Sequence, residues 1–402
     1  MTLAAPSSAS SARAAAWPRE RLAVSLAFLA NGFVIGGWAP QIPLFAARLD
    51  LSKAQLGLMI LAFGLGAILA MPLVGRVISR IGSKRPTIWL HAAMVPALPL
   101  LALAPNVPLA ILAVLFAGIT TGGLDVAMNA NAVSVERRLQ RAIMSSCHGF
   151  WSVGGLLGAG LGGPIIAFLG GGAHGLLTGL VVAATLLFVA RHLLSDEPEP
   201  APVAAQSGTD GARVGGFASV GKALAIGVVA LFAMIPEGAA IDWSAVYLRQ
   251  ELGVGTAASG LAFAAFSAAM AILRFAGDGI RDRFGAVATA RGCASIAIVG
   301  LLVIGFAPGL AAALVGFALL GIGLSNIVPI AFSAAGNVEG LKAGTGLSMA
   351  TSIGYSGILI APSFIGFIAE HTGFAIVYAG LAALLVLVLA ASGIVSGADR
   401  RA

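Results

Sequence analysis

The chain has 402 residues, of which 59% are hydrophobic and only 10% charged, against about 25% charged in an ordinary soluble domain. That shortfall excludes a water-soluble enzyme, because a soluble surface of this size needs far more Asp, Glu, Lys and Arg, whereas lipid-facing helices need almost none. The net charge of +7 sits in short basic clusters at the ends of apolar runs, which marks membrane orientation and not nucleic-acid binding.

In chain order, residues 1–20 are Ser/Ala-rich and read as a disordered cytoplasmic tail with no cleavable secretory signal. Twelve apolar runs follow, near 21–47, 54–78, 86–104, 108–135, 142–169, 173–194, 220–247, 256–280, 286–307, 310–335, 342–369 and 373–396. A membrane helix takes about 20 apolar residues, so each run is a predicted span. The long connection at 195–219 contains SDEPEPAPVAAQSGTDGARVGG, a mixture of Pro, Gly and acids that cannot bury apolar surface and reads as a cytoplasmic linker. It separates an N-terminal six-helix bundle, 21–194, from a C-terminal one, 220–396, with a cytoplasmic tail at 397–402. The expected fold class is an all-α integral membrane protein of twelve spans in two pseudo-symmetric bundles.

Placing both termini in the cytoplasm puts 19 of the 23 Lys and Arg on that side. Arg48, Lys53 and Arg249 fall outside and Arg274 lies within a span, a bias that fixes the orientation. An offset of 203 residues aligns Leu49 with Leu252, Gly57 with Gly260, Arg80 with Arg283 and Gly82 with Gly285. The chain therefore reads as a duplication, with both copies in the same orientation about an axis along the membrane normal.

The stretch from Gly75 to Arg85, GRVISRIGSKR, resembles the cytoplasmic loop signature of major facilitator superfamily transporters, and GDGIRDRFG at Gly277 to Gly285 is similar to its second copy. The resemblance implies the major facilitator fold and a gating role for Gly75, Arg76, Arg80 and Gly82 and for Gly277, Asp278, Asp282, Arg283 and Gly285. In that signature the glycines allow close approach, while an acid and an Arg pair across the cytoplasmic seam and hold one access state. The first copy has Ser79 where the acid usually stands. Within the superfamily, Leu124-Asp125-Val-Ala-Met-Asn129 resembles the fucose-permease-like sugar/proton symporters. HGFWSVGG from His148 and NGFVIGGW from Asn31 resemble a neighbouring branch that includes rhizopine-associated permeases. These resemblances imply proton-coupled symport of a small polar solute such as a sugar, polyol or amino-polyol. Fucose permeases also carry an acid in the first span, where this chain has Trp38 and Ala39.

An ionisable group within a span costs at least a few kcal/mol and usually faces a partner or a water-filled cavity. Asp125, in the fourth span, is the first proton-coupling candidate; the other reading is a structural hydrogen bond or ion pair, with Arg137 or Arg141 as partner. Asn129, one turn on and on the same face, either hydrogen-bonds the solute or orients the carboxylate. In the seventh span Pro236-Glu237-Gly238 suggests an interrupted helix lining a cavity, with Glu237 the second proton or substrate ligand. Asp242 and Trp243 follow, Asp242 near enough to the outer surface to be simply solvated. Asn31, Trp38 and Gln41 in the first span, His148 and Trp151 in the fifth, and Asn326 and Tyr355 in the tenth and eleventh complete the candidate substrate-binding set. Trp38 also suits an interfacial belt, and His148 suits packing as well as proton relay. Arg274 reads either as a partner for Glu237 or an anionic solute, or as a snorkelling side chain, with snorkelling the favoured reading.

Gly154, Gly158 and Gly162 form a small-residue stripe for close helix packing. Ending at Gly163-Pro164, the stripe is also a partial match to the fifth-span motif of drug/proton antiporters, with Ala167 and Phe168 in place of its trailing glycines. Efflux antiport is therefore an alternative function, and a non-transporting membrane sensor or scaffold a further one. Cys147 and Cys293 lack metal-ligand spacing and are expected as free thiols. No GxxxxGK[ST] or HExxH stretch occurs, so neither an enzyme nor a cofactor nor a metal site is expected. The expected partners are a small solute, protons and the lipid bilayer, the expected place a bacterial inner membrane, and the expected working unit a monomer.

Overall fold

The computed structural model describes residues 17–139, 143–196, 217–341 and 345–399. Among these the chain is helical nearly throughout. The elements are α1 Arg19–Arg48, α2 Lys53–Ile81, α3 Lys84–Met94, α4 Ala97–Leu103, α5 Val107–Leu139, α6 Met144–His192 and α7 Phe217–Gln250. After a short 3-10 turn at Thr256–Ala258 come α8 Leu261–Phe284, α9 Ala286–Gly305, α10 Leu310–Leu324, α11 Ile327–Gly336, α12 Thr345–Thr372 and α13 Phe374–Ala391, and a 3-10 segment at Ser392–Asp399 closes the described chain.

These elements resolve into twelve crossings. The pair α3 and α4 forms one span, broken where Pro96 has no N–H to give. The pair α10 and α11 forms another, broken at Ser325 and Asn326 just before Pro329. The 49-residue α6 is about 70 Å long at helical rise, over twice the ~30 Å apolar thickness of a bilayer. It turns at Gly170, whose φ of 84° and ψ of 162° are open to glycine without the Cβ clash, so its two arms are the fifth and sixth spans. Exposed apolar side chains such as Leu73, Leu112, Phe168, Leu180 and Leu187 suit the lipid-facing surface.

The left-handed backbone positions repeat at the offset found in the sequence. Asp50 (φ 50°) matches Gly253 (63°), Gly82 (76°) matches Gly285 (79°), and Gly170 (84°) matches Gly373 (80°), while Gly340 (80°) has no such counterpart. A further pair extends the repeat. The Asp196 carboxylate accepts from the backbone N–H of Ser83 (2.9 Å) and Lys84 (3.2 Å) at the start of α3, and 203 residues on, Asp399 accepts from Ala286 N–H at the start of α9 (2.9 Å to each oxygen). Each half thus ends on a carboxylate that satisfies the open N–H groups of its own third span.

Several sequence boundaries shift accordingly. The first helix begins at Arg19, inside the stretch read as tail, and residues 1–16 lie outside the described set. The stretch 195–219 read as linker gives up Ser195 and Asp196 to the N-terminal half and 217–219 to α7, and 197–216 lie outside the described residues. The stretch 397–402 read as a tail is packed as far as Asp399, with Gly397 and Ala398 buried; its apolar residues are too few and too irregularly spaced to mark a helix.

Within the N-terminal half, α1 and the first arm of α6 meet backbone to backbone. A Cβ added at Gly154 would strike Leu29 O and Phe33 N, one at Gly158 would strike Phe33 O and Gly37 N, and from the other side one at Gly32 or Gly36 would strike Trp151 O or Gly155 O. The stripe therefore serves close packing. The two halves are joined at the start of α2, the residue after α7 and the end of α12. Lys53 pairs with Glu251 at 3.5 Å, donates to Ala369 O at 3.1 Å and lies 5.0 Å over the Phe374 ring. Glu370 of α12 accepts from the Ala54 N–H at 2.7 Å, capping α2 across the seam, and Ser363 donates to Gly57 O at 3.2 Å. The halves are therefore closed on each other around Lys53 and Glu370.

Candidate functional site

The transmembrane polar groups converge between the halves, near mid-depth. In α5, Asp125 is half-buried, and Asn129 donates from its amide to the Asp125 main-chain oxygen at 2.8 Å and to its carboxylate at 3.3 Å. Of the two readings for Asn129, the geometry supplies the orienting one. Arg137 cannot reach Asp125, since twelve residues of helix separate them by about 18 Å, and Arg141 lies outside the described residues.

Opposite, in the C-terminal half, Arg274 of α8 pairs with Glu237 of α7 at 3.2 Å; the two side chains are 19% and 18% exposed. The same guanidinium donates across the seam to Ser152 at 3.4 Å and stands in electrostatic reach of His148. The snorkelling reading of Arg274 is thus replaced by an intramembrane ion pair, the lower-energy arrangement once a carboxylate is within reach. Tyr355 of α12 is partly exposed and in electrostatic reach of Asp125, Glu237 and Arg274. One site therefore draws on α5 and α6 from the first half and α7, α8 and α12 from the second.

Trp151 and His148 border this cluster. Trp151 donates from its indole N–H to Asn31 Oδ1 at 2.9 Å, and Asn31 in turn donates to Thr121 O at 3.0 Å. Asn31 is consequently buried as a strut joining α1, α5 and α6 and holding Trp151. His148 meets Phe28 edge-on at 5.2 Å. Asp242 is half-buried rather than solvated at the outer surface, and has no hydrogen-bonding or ionic partner among the described residues. One turn before it, Gly238 is buried, and a Cβ added there would have nothing within 4 Å.

Four expected contacts fall outside the cluster. Trp38 is buried against Phe45 at 5.3 Å and Trp243 against Phe374 at 5.8 Å; both rings fill the interior of their own half. Gln41 donates to Gly171 O at 2.7 Å and lies 3.0 Å from His174 Nδ1, tying α1 to the second arm of α6. Asn326 is buried at the break between α10 and α11, donating to Ser325 Oγ at 3.0 Å.

In the two loop-signature copies, Gly82 and Gly285 adopt left-handed turns, and a Cβ on Gly277 would strike the Asn326 side chain. Gly75 instead has nothing within 4 Å, so close approach is not its role. Arg76 is exposed and donates to Pro72 O of its own helix at 3.4 Å, Arg80 and Asp282 are exposed, Arg283 covers the neighbouring Phe284 ring, and the Asp278 side chain lies outside the described residues. Arg76 and Arg283 are thus each engaged within their own half.

Sequence reasoning passed over Ser152, although it lies one turn after His148 on the same helical face, and passed over Asp196 and Asp399, although they obey the 203-residue offset. Both cysteines are free and buried, as the spacing implies.

The family model of the Major Facilitator Superfamily matches residues 24–362. The chain is similar to an uncharacterised MFS-type transporter of Yersinia pestis, at 35% identity over 377 residues covering 93% of this chain and 94% of that one. It is also similar to membrane protein MosC of Rhizobium meliloti, at 33% identity and 92% and 88% coverage. Among solved structures, a variant of the nucleoside transporter NupG superposes with a TM-score of 0.75 at 14% identity, covering 93% of this chain and 99% of that one. The human organic anion transporter MFSD10 superposes at 0.64 and 17%, with the same coverage. The fold, the duplicated halves and the length of these matches agree: the chain belongs to the major facilitator superfamily.

Proposed function

We propose that this superfamily transporter is a proton-coupled symporter of a small polar solute, working by alternating access between its two halves in a bacterial inner membrane with both termini cytoplasmic. The observation that carries the reading is the mid-depth cluster: Asp125 oriented by Asn129, with the Glu237–Arg274 pair facing it from the other half. Charged groups at this depth are costly to keep and are retained where ions or solutes pass. Among the described residues no cation pairs with Asp125, so a proton is the simplest neutralising partner when the site is closed. Tyr355, Trp151 and the free positions on Asn129 supply the hydroxyl, ring and amide contacts that a sugar, polyol or nucleoside would use. One chain contains the whole site, so the monomer is the working unit.

The test is proton flux in sealed proteoliposomes, read by an internal pH dye, for wild type and Asp125→Asn challenged with sugars, polyols, nucleosides and cationic dyes. The reading expects a solute from the first three groups to drive proton uptake, and the variant to lose that uptake by tenfold or more while still binding solute. Flux unchanged in the variant removes Asp125 from coupling, and a response to dyes alone replaces symport with export.

A further inference from the structure

A polar pocket of about 330 Å³ opens on the cytoplasmic side of the N-terminal half, lined by Arg19, Glu20, Arg138, Arg191, His192 and the 193–195 segment. Three separate elements contribute: the start of α1, the end of α5 and the end of α6. Glu20 is spoken for by Arg138 at 3.4 Å. Arg19 and Arg191 have no carboxylate partner among the described residues. His192 is stacked on Phe188 at 4.3 Å, and its Nδ1 lies 3.0 Å from Phe188 O, which fixes the ring and leaves Nε2 as its free edge. The N-terminus of α1 has no side-chain cap, so its first N–H groups add positive potential to the same opening.

Orientation of the chain requires basic residues on this face, but it does not require that they converge. The duplication provides an internal control. At the offset of 203, Arg19 corresponds to Lys222, while Arg138, Arg191 and His192 correspond to Leu341, Ile394 and Val395. Three of the four positions are therefore apolar in the second half, and Arg138 and Arg191 have no basic counterpart there.

We propose that this pocket is an anion site for a phosphate group, and that the phosphodiester headgroup of an anionic lipid is its natural occupant. With the proposed orientation it stands at headgroup level, with the exposed Leu187 (70%) one turn before Arg191 and the exposed Trp17 (46%) two residues before Arg19, and clustered arginines at the cytoplasmic interface recognise such headgroups through charge and paired N–H donors. The site is distinct from the mid-depth cluster and its test does not depend on transport.

The experiment is native mass spectrometry and thermal unfolding of the detergent-purified full chain, titrated with phosphatidylglycerol, with phosphatidylcholine and with inorganic phosphate. Wild type retains phosphatidylglycerol and unfolds at a higher temperature with it, and phosphatidylcholine does neither. Each arginine removed weakens binding about fivefold, so Arg19→Gln/Arg191→Gln binds about 25-fold more weakly, while Lys222→Gln on the opposite half binds as wild type. Protection by inorganic phosphate at millimolar concentration, lost in the same double variant, assigns the pocket to a soluble phosphate instead of a lipid. Equal retention of phosphatidylglycerol by wild type and the double variant, or none by wild type, overturns the proposal.

Discussion

At the residue scale, the Glu237–Arg274 pair carries the sharpest expectation. Two charges 3.2 Å apart and under one-fifth exposed are each tolerable because of the other, and removing one leaves an uncompensated charge at a cost of about 3 kcal/mol. Arg274→Gln should therefore unfold at a clearly lower temperature than wild type, and Glu237→Gln added to it should recover most of that loss. Thermal unfolding of the four proteins of this cycle decides the matter; additive losses would show that the pair is not coupled. The sequence displayed every charged member of this site, since ionisable residues stand out inside apolar spans. It did not display their pairing. Whether Arg274 reaches Glu237 or the membrane surface depends on how α7 and α8 face each other, and no local pattern records that. Trp38 and Trp243 failed for the same reason: an aromatic residue in a span looks alike whether it lines a crevice or fills a core.

At the element scale, close packing and turn geometry set the limits. Gly36 and Gly158 sit where α1 and α6 touch through their backbones, so Gly158→Leu should push the helices apart and cost about 3 kcal/mol or more, beyond ordinary overpacking, because neither backbone can yield. Loss of folded yield, with retained yield for Gly221→Leu at an open position, checks this. Gly170 and Gly373 both require left-handed backbone, so Gly170→Ala and Gly373→Ala should each destabilise by about 1–2 kcal/mol, read as lowered unfolding midpoints. Element existence was well marked in the sequence, because hydropathy over about 20 residues is a local quantity. The continuation of the chain from Gly397 to Asp399 was not, since its anchoring depends on one carboxylate meeting a distant helix start.

At the scale of the whole molecule, the outer seam opposes the conversion that alternating access requires. Lys53, Glu251 and Glu370 link α2 to α7 and α12, and each link must part before the outer side can open. Lys53→Met/Glu370→Gln should shift the population towards an outward-open form, seen as faster labelling of a cysteine placed at Ser363 by an impermeant thiol reagent. Unchanged labelling would mean that apolar contacts alone hold the seam. The duplicated plan was legible because both copies kept their glycines and arginines in register. The asymmetry of function between the halves, with the ion pair in one and the orienting Asn129 in the other, was legible only residue by residue.

The paired carboxylates Asp196 and Asp399 have a consequence for assembly. Each half fastens its own last residue to its own third span, so neither half borrows the other's chain to finish folding, and covalent continuity between them has little left to do. A gene split within 197–216 should therefore yield two polypeptides that find each other in the membrane and co-purify. The same split combined with Asp196→Ala should leave the first fragment prone to degradation while the second, still closed by Asp399, persists.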